Sequence, residues 1–254
     1  MTRIITVAGN TFRESVRDKV LYVLLLFAAA AILGSKALGW ISVGQDLKIV
    51  KDICLAAMSV FGALIAIFIG ASLLYKEMDK KTLYTIVSQP MHRYEFVLGK
   101  YAGLMLLLAV AVGAMALVSS VYLLFLGGRP DTVFFQAVLL IYWKLLLVTA
   151  LAVLLSAATS PILGAIIVFC AYVFGHATGV FRDLPPQFDG TAAKAVLEAA
   201  YYVIPNLSNF NIQAEAANGI AVSWVYVAWA LAYGAAYTAA LLWLACLAFE
   251  GRDL

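Results

Sequence analysis

Long apolar runs divided by short charged segments set the pattern of this chain. No Lys, Arg, Asp or Glu occurs from Ile53 to Tyr75, Tyr101 to Gly128, Leu145 to Phe181 or Ala216 to Phe249. Val20 to Ser35 is shorter, but Lys36 can snorkel and the apolar character continues to Trp40. A hydrocarbon core of about 30 Å takes about 20 helical residues. The 37-residue interval that starts at Leu145 therefore holds two spans. They divide at Ser156–Pro161, because Pro161 lacks an amide donor and turns Ser160 away from helical geometry. The pattern predicts six membrane helices, near residues 20–42, 53–75, 101–126, 136–158, 161–181 and 221–248.

Composition agrees with the pattern. Of the 254 residues, 65% are hydrophobic and 12% charged, where soluble domains run about 45–50% and about 25%. So much apolar surface excludes a soluble globule and a disordered chain. A net charge of +3 is too small to hold a nucleic acid. Outer-membrane barrels alternate polar and apolar positions over about ten residues, and these continuous runs do not. The fold class is an all-α membrane protein, a single transmembrane domain over residues 1–254.

Basic residues orient it. With the N-terminus inside, ten Lys and Arg fall on the inner side and seven on the outer, and the 76–100 loop alone carries five. Both termini are expected in the cytoplasm. The first span follows nineteen residues with six charges, unlike the short basic lead of a signal peptide, and is expected to stay uncleaved. Cys54, Cys170 and Cys246 lie in or beside apolar runs without pairing spacing and read as small core residues.

Residues 1–19 are amphipathic. Ile5, Ala8, Phe12 and Val16 recur at helical spacing, with Arg3, Thr6, Asn10, Arg13 and Arg17 on the other side. Such a helix lies in the membrane interface, with Phe12 down and Arg13 and Arg17 toward lipid phosphates. The 76–100 loop is too long for a simple connector. A charged cluster, Lys76 to Lys81, precedes a half-apolar segment, Thr82 to Val87; Pro90 ends it, and a second amphipathic piece leads into the next span. By themselves these charges also fit anchors at the headgroups. The outer loop, 182–220, holds Pro185-Pro186, a helical stretch from Ala192 to Val203 with Lys194 and Glu198 four apart, and Pro205.

Glu77, Thr82-Leu83, Ser88-Gln89-Pro90, Arg93, Glu95-Phe96 and Gly99-Lys100 together resemble the cytoplasmic loop of ABC-2 type transporter permeases. That loop commonly reads Glu, then Gly-Thr-Leu, Leu-Ser-x-Pro, Arg and Gly-Lys; this chain has Lys81 for the Gly and Val87 for the Leu. Thr11 to Lys19 is similar to the family's interfacial segment. Tyr202-Val203-Ile204-Pro205-Asn206 with Phe210 resembles the subgroup associated with copper-enzyme maturation and gliding motility.

The resemblance implies six membrane helices with an N-terminal interfacial helix and a cytoplasmic coupling helix, as in type V exporters. It implies a permease subunit of a bacterial inner-membrane ATP-binding-cassette transporter, for export or for mechanical signalling. Two such subunits would assemble with two separate ATPase subunits, which would bind ATP and Mg. Glu77, Thr82, Leu83, Pro90 and Arg93 would couple to the ATPase. Short helices in the 182–220 loop would dip back and cap the exit, with Tyr201, Tyr202 and Phe210 as anchors; the residues equally fit a loop that docks a periplasmic or outer partner. Helices two and five would face the pathway, making Ser59, Ser72 and His176 its candidate residues.

Other chemistry is missing from the sequence. No Gly-x4-Gly-Lys-Ser/Thr run exists to cradle a phosphate, so no ATPase activity of its own is expected. His92 and His176 have no His or Cys at ligand spacing, and no metal, cofactor or catalytic residue is expected in this chain. No span carries a central carboxylate for a proton relay. Lys144 is expected one to two turns inside the outer end of its helix, snorkelling outward. Gly62, Ala66 and Gly70 place a small residue every four positions, which suits internal packing and a dimer seam equally. The alternative function is an ATPase-independent secondary transporter or a membrane scaffold. The topology is checked with an impermeant thiol reagent: Ala192→Cys reacts in intact cells and Lys80→Cys only after permeabilisation, whereas equal labelling would contradict six spans.

Overall fold

The computed structural model describes residues 2–39, 46–74, 93–177 and 204–250. They form eight α-helices and one 3-10 turn. The helices are α1 (Thr2–Val16), α2 (Lys19–Gly39), α3 (Asp46–Ser72), α4 (Arg93–Phe125), α5 (Thr132–Ala158), α6 (Pro161–His176), α7 (Gln213–Asn218) and α8 (Trp224–Glu250); the turn is Leu207–Phe210. Five of them, α2, α3, α4, α5 and α8, are long and apolar enough to cross a bilayer. The remaining apolar helix, α6, has 16 residues, about 24 Å of rise. Residues 178–181 of the predicted fifth span lie outside the described residues.

Three helices start earlier than the spans predicted for them. α3 begins at Asp46 rather than near 53, α4 at Arg93 rather than 101, and α5 at Thr132 rather than 136. A charge ends a membrane helix only if it has nowhere to go, and here partners are at hand. Lys51 pairs with Asp131 at 3.0 Å. Asp131 also caps α5, its carboxylate accepting from the Phe134 amide at 3.3 Å. Lys100, 3% exposed, lies 3.6 Å from Glu14. Arg93 donates to the Phe249 carbonyl at 3.3 Å, in the last turn of α8 where a cation suits the helix dipole. Asp18 caps α2 in the same way, accepting from the Val20 amide at 3.0 Å.

The central pair is α3 and α5. A Cβ built on Gly62 would lie 2.5 Å from Leu145, and one on Gly70 2.8 Å from Ala152. The Gly62–Ala66–Gly70 stripe thus packs inside the subunit against α5, which decides between the two uses its spacing allowed. α4 closes one side, with Tyr101 donating to the Leu146 carbonyl at 3.2 Å and Tyr142 to that of Met105 at 3.2 Å. α2 and α8 flank the bundle and turn large apolar side chains outward, among them Leu26, Phe27, Trp229 and Trp243. Those faces suit acyl chains. Cys54 is buried as expected, but Cys170 faces outward on α6 and Cys246 is partly exposed.

The N-terminal periodicity does form a helix, but the stripe read from the sequence is rotated. Ala8, Thr11 and Ser15 are buried, Phe12 and Val16 are partly buried, and Ile5 is 69% exposed. Gly99 and Gly103 of α4 cause this. A Cβ on Gly103 would lie 2.6 Å from the Thr11 Cβ and 2.7 Å from the Ala8 carbonyl, and one on Gly99 would lie 2.7 Å from Val7. Two missing side chains let α1 seat its small face on α4, and Ile5 turns away. Arg13 and Arg17 remain exposed. A side chain at Gly103 must push α1 off. Gly103→Leu is expected to cost about 1–3 kcal/mol, read as a lower thermal midpoint in detergent. Gly113→Leu, with nothing within 4 Å, should leave it unchanged.

Candidate functional site

α5 is apolar over almost its whole length, and Lys144 is the one basic residue among its 27. It lies twelve residues past Thr132, near the middle of the helix. Its expected escape to the outer interface is therefore about 18 Å away, and the side chain is 0% exposed. The snorkelling expectation fails because α5 starts a turn earlier than its pattern suggested and because polar partners stand beside the amine.

Those partners come from α3 and α6. The Lys144 amine donates to Ser59 Oγ at 2.7 Å and meets His176 Nε2 at 3.1 Å. His176 Nδ1 lies 2.9 Å from the Tyr172 carbonyl. A carbonyl can only accept, so Nδ1 carries the proton and Nε2 is left as an acceptor for Lys144. The Tyr172 hydroxyl is 3.0 Å from Ser59 Oγ and 3.3 Å from the Ser59 carbonyl. One consistent assignment satisfies all of them: Lys144 donates to Ser59 Oγ, Ser59 to the Tyr172 hydroxyl, and Tyr172 to the Ser59 carbonyl. The Lys144 Nζ also lies over the Tyr172 ring, whose centroid is 5.9 Å away. The Tyr172 and His176 rings lie one helical turn apart with centroids 4.4 Å apart. A charged residue at a helix centre costs about 2.5–3.5 kcal/mol on insertion scales. Two charge-assisted bonds of about 1.5–3 kcal/mol each offset it.

The site is closed at one end by residues 204–219. Leu207 and the Pro205 carbonyl press on Gly175, where a Cβ would lie 2.7 and 2.9 Å from them. Phe210 is buried beside Tyr233, and the Asn206 amide donates to the Tyr233 hydroxyl at 3.0 Å. Asn206 also accepts from the Ser208 amide at 3.1 Å and from the Ser208 hydroxyl. Gln213 of α7 reaches the Leu55 carbonyl at 3.5 Å, one turn from Ser59. Gly219, at φ 67°, gives α7 its left-handed C-cap. This half of the predicted outer loop folds back into the bundle; residues 182–203, with Tyr201 and Tyr202, lie outside the described residues.

Of the pathway candidates, Ser59 and His176 meet through Lys144. Ser72 does not join them; its hydroxyl donates to the Ile69 carbonyl of its own helix at 3.2 Å. Lys144 and Tyr172 were missed by sequence reasoning. A lysine in the middle of an apolar run is the signal that could have found the first; Tyr172, 113 residues from Ser59, left none. Of the coupling candidates, Arg93 sits at the start of α4 with its partner on α8, while Glu77, Thr82, Leu83 and Pro90 lie outside the described residues. Among the described residues no three His, Cys, Asp or Glu gather as metal ligands would.

An all-α bundle with five bilayer-length apolar helices is a multi-pass membrane protein. The family of ABC-2 family transporter proteins matches residues 5–254, and the chain belongs to that family, the permeases of ATP-binding-cassette transporters. The copper-enzyme and gliding-motility subgroup is not distinguished by this match. No curated protein matches the chain.

The two serines separate structure from periodicity. Ser59→Ala removes an acceptor from a buried amine and should cost about 1–2 kcal/mol. Ser72→Ala breaks only a bond within its own helix and should stay within about 0.5 kcal/mol of wild type. Unfolding of both variants in one detergent checks the difference.

Proposed function

We propose that this chain is the membrane-spanning subunit through which separate ATPase subunits drive substrate export or mechanical signalling across a bacterial inner membrane. Membership of the ABC-2 family over residues 5–254 carries the proposal. ATP and Mg belong to the ATPase, and two permease subunits pair with two ATPases. The permease itself catalyses nothing. Both termini face the cytoplasm.

The packing at one end of the bundle supports this. α1 is seated on Gly99 and Gly103 of α4, Glu14 lies beside Lys100, and Arg93 is tied to the end of α8. Phe96 and Phe249 stack there with centroids 6.0 Å apart. A displacement delivered to the chain just before Arg93 would move α1, α4 and α8 together. Glu77, Thr82, Leu83 and Pro90 precede this junction and form the contact with the ATPase, and Arg93 passes the motion on.

Gentle purification of the tagged protein is expected to bring an ATPase with it; an ATPase-free preparation would favour the secondary transporter or scaffold. Glu77→Ala then probes the contact. Truncating a partly desolvated interface charge costs a few kcal/mol, while a headgroup anchor contributes about 1 kcal/mol and anionic lipid would repel a glutamate. The variant should insert and fold normally but lose ATPase binding or stimulation. Full stimulation would remove Glu77 from the interface.

A further inference from the structure

The company kept by Lys144 is unusual for a buried cation. Its partners are a hydroxyl, an imidazole nitrogen and a ring face, all neutral acceptors. Among the described residues no carboxylate pairs with Lys144, whereas Lys51 and Lys100 each have one, Asp131 and Glu14. In a low-dielectric interior a cation held only by dipoles binds an anion more strongly than it binds them.

The cluster is also graded in exposure. Lys144 and Ser59 are buried, whereas Tyr172 and His176 are partly exposed in the last turns of α6. α6 buries only Gly164, Val168 and Gly175. The rest of its surface is largely apolar and open, including Ile162, Leu163, Ile166, Phe169 and Val173. In the single chain that surface is open to an apolar ligand, whether it arrives from the bilayer or from a pathway between two subunits. A molecule that reaches His176 along α6 must be apolar over most of its length. To take the Lys144 hydrogen from His176 Nε2, its head must be a stronger acceptor than a neutral imidazole.

We infer that the Ser59–Lys144–Tyr172–His176 cluster is the headgroup site for an anionic amphiphile, whose carboxylate or phosphate replaces His176 on the Lys144 ammonium while its chain lies along α6. Ser59 keeps the amine in place, and the Tyr172 ring covers it. That this ligand is the cargo rests on the permease proposal; that it binds does not.

Native mass spectrometry of the purified full chain in a neutral detergent tests binding without any ATPase. The probes are laurate, dodecyl phosphate and phosphatidylglycerol, with methyl laurate and dodecyltrimethylammonium as neutral and cationic counterparts. The wild-type chain is expected to retain one anionic amphiphile at least about tenfold more strongly than methyl laurate, and Lys144→Met to lose that preference. Preference for laurate would identify a free fatty acid as the source, and preference for phosphatidylglycerol a phospholipid. Equal retention of laurate and methyl laurate, or an unchanged preference in Lys144→Met, would overturn the site. If Lys144→Met does not fold, a laurate with a photoreactive diazirine in its chain decides on the wild type. Cross-links within residues 161–176 support the site, and cross-links spread over the outward faces of α2 and α8 overturn it. A chain that binds the anion but recruits no ATPase would refute the permease proposal alone.

Discussion

The close approach of α3 to α5 positions most of what is distinctive in this bundle. Gly62 and Gly70 remove the side chains that would hold the two helices apart, so Leu145 and Ala152 sit almost on the α3 backbone. Seating Leu145 against Gly62 has a second effect. It brings the preceding residue, Lys144, to the level of Ser59, three positions before Gly62, and the amine finds a hydroxyl at 2.7 Å. Larger residues on α3 would widen the gap and leave the amine short of its acceptor. The same spacing that packs the core therefore makes a buried lysine tolerable, and α6 completes the arrangement by adding Tyr172 and His176.

The ends of the helices follow a different rule. Outside the core, cations and carboxylates are placed so that each helix can run past its apolar stretch without leaving a bare charge in an apolar setting. Lys51 reaches Asp131 across α3 and α5, Lys100 reaches Glu14 across α4 and α1, and Arg93 reaches the terminal carbonyl of α8. The two ion pairs each hold a well-exposed carboxylate, Asp131 at 38% and Glu14 at 50%, so solvent screens them and neither is strong by itself. Their importance is positional. They fix which helix ends share a side of the bundle and place α1 and the end of α8 together at the start of α4.

The class of fold was legible because membrane helices follow from apolar length, and length is a local property. The break at Pro161 and the helix at the N-terminus were legible for the same reason, whereas the return of residues 204–219 to the bundle was expected only from the family resemblance. What the sequence could not convey was the partner of each charge. Without knowing that Asp131 stands beside Lys51, the helix containing Lys51 seems to begin after it. Without Gly103 facing Thr11, the apolar stripe of α1 seems to contain Ile5. The site divides in the same way. Ser59 and His176 were found by their polarity inside spans and by family resemblance. Lys144 was dismissed by a rule that holds near a helix end, and it sits at a helix centre. Ser72, equally polar and equally placed in its run, spends its hydroxyl on its own backbone. Polarity in a span marks a candidate; only the neighbouring helix decides whether it faces anything.

The two regions proposed to act involve different helices of the bundle, and α4 and α5 connect them. The junction of α1, α4 and α8 is at one end, where the family's ATPase would push. The Lys144 cluster lies deeper, between α3, α5 and α6, beneath the 204–219 segment. α4 joins them, because it carries Arg93, Gly99 and Gly103 and, between and just after those glycines, bonds to α5 on either side of Lys144, Tyr101 donating to Leu146 and Met105 accepting from Tyr142. Tightly packed helices shift as units rather than bend. A movement that begins at Arg93 would therefore reach α5 through two tyrosines flanking the buried amine. The bonds of Lys144 to α3 and α6 are the ones such a movement would stretch, because they cross between helices and their partners are only dipoles.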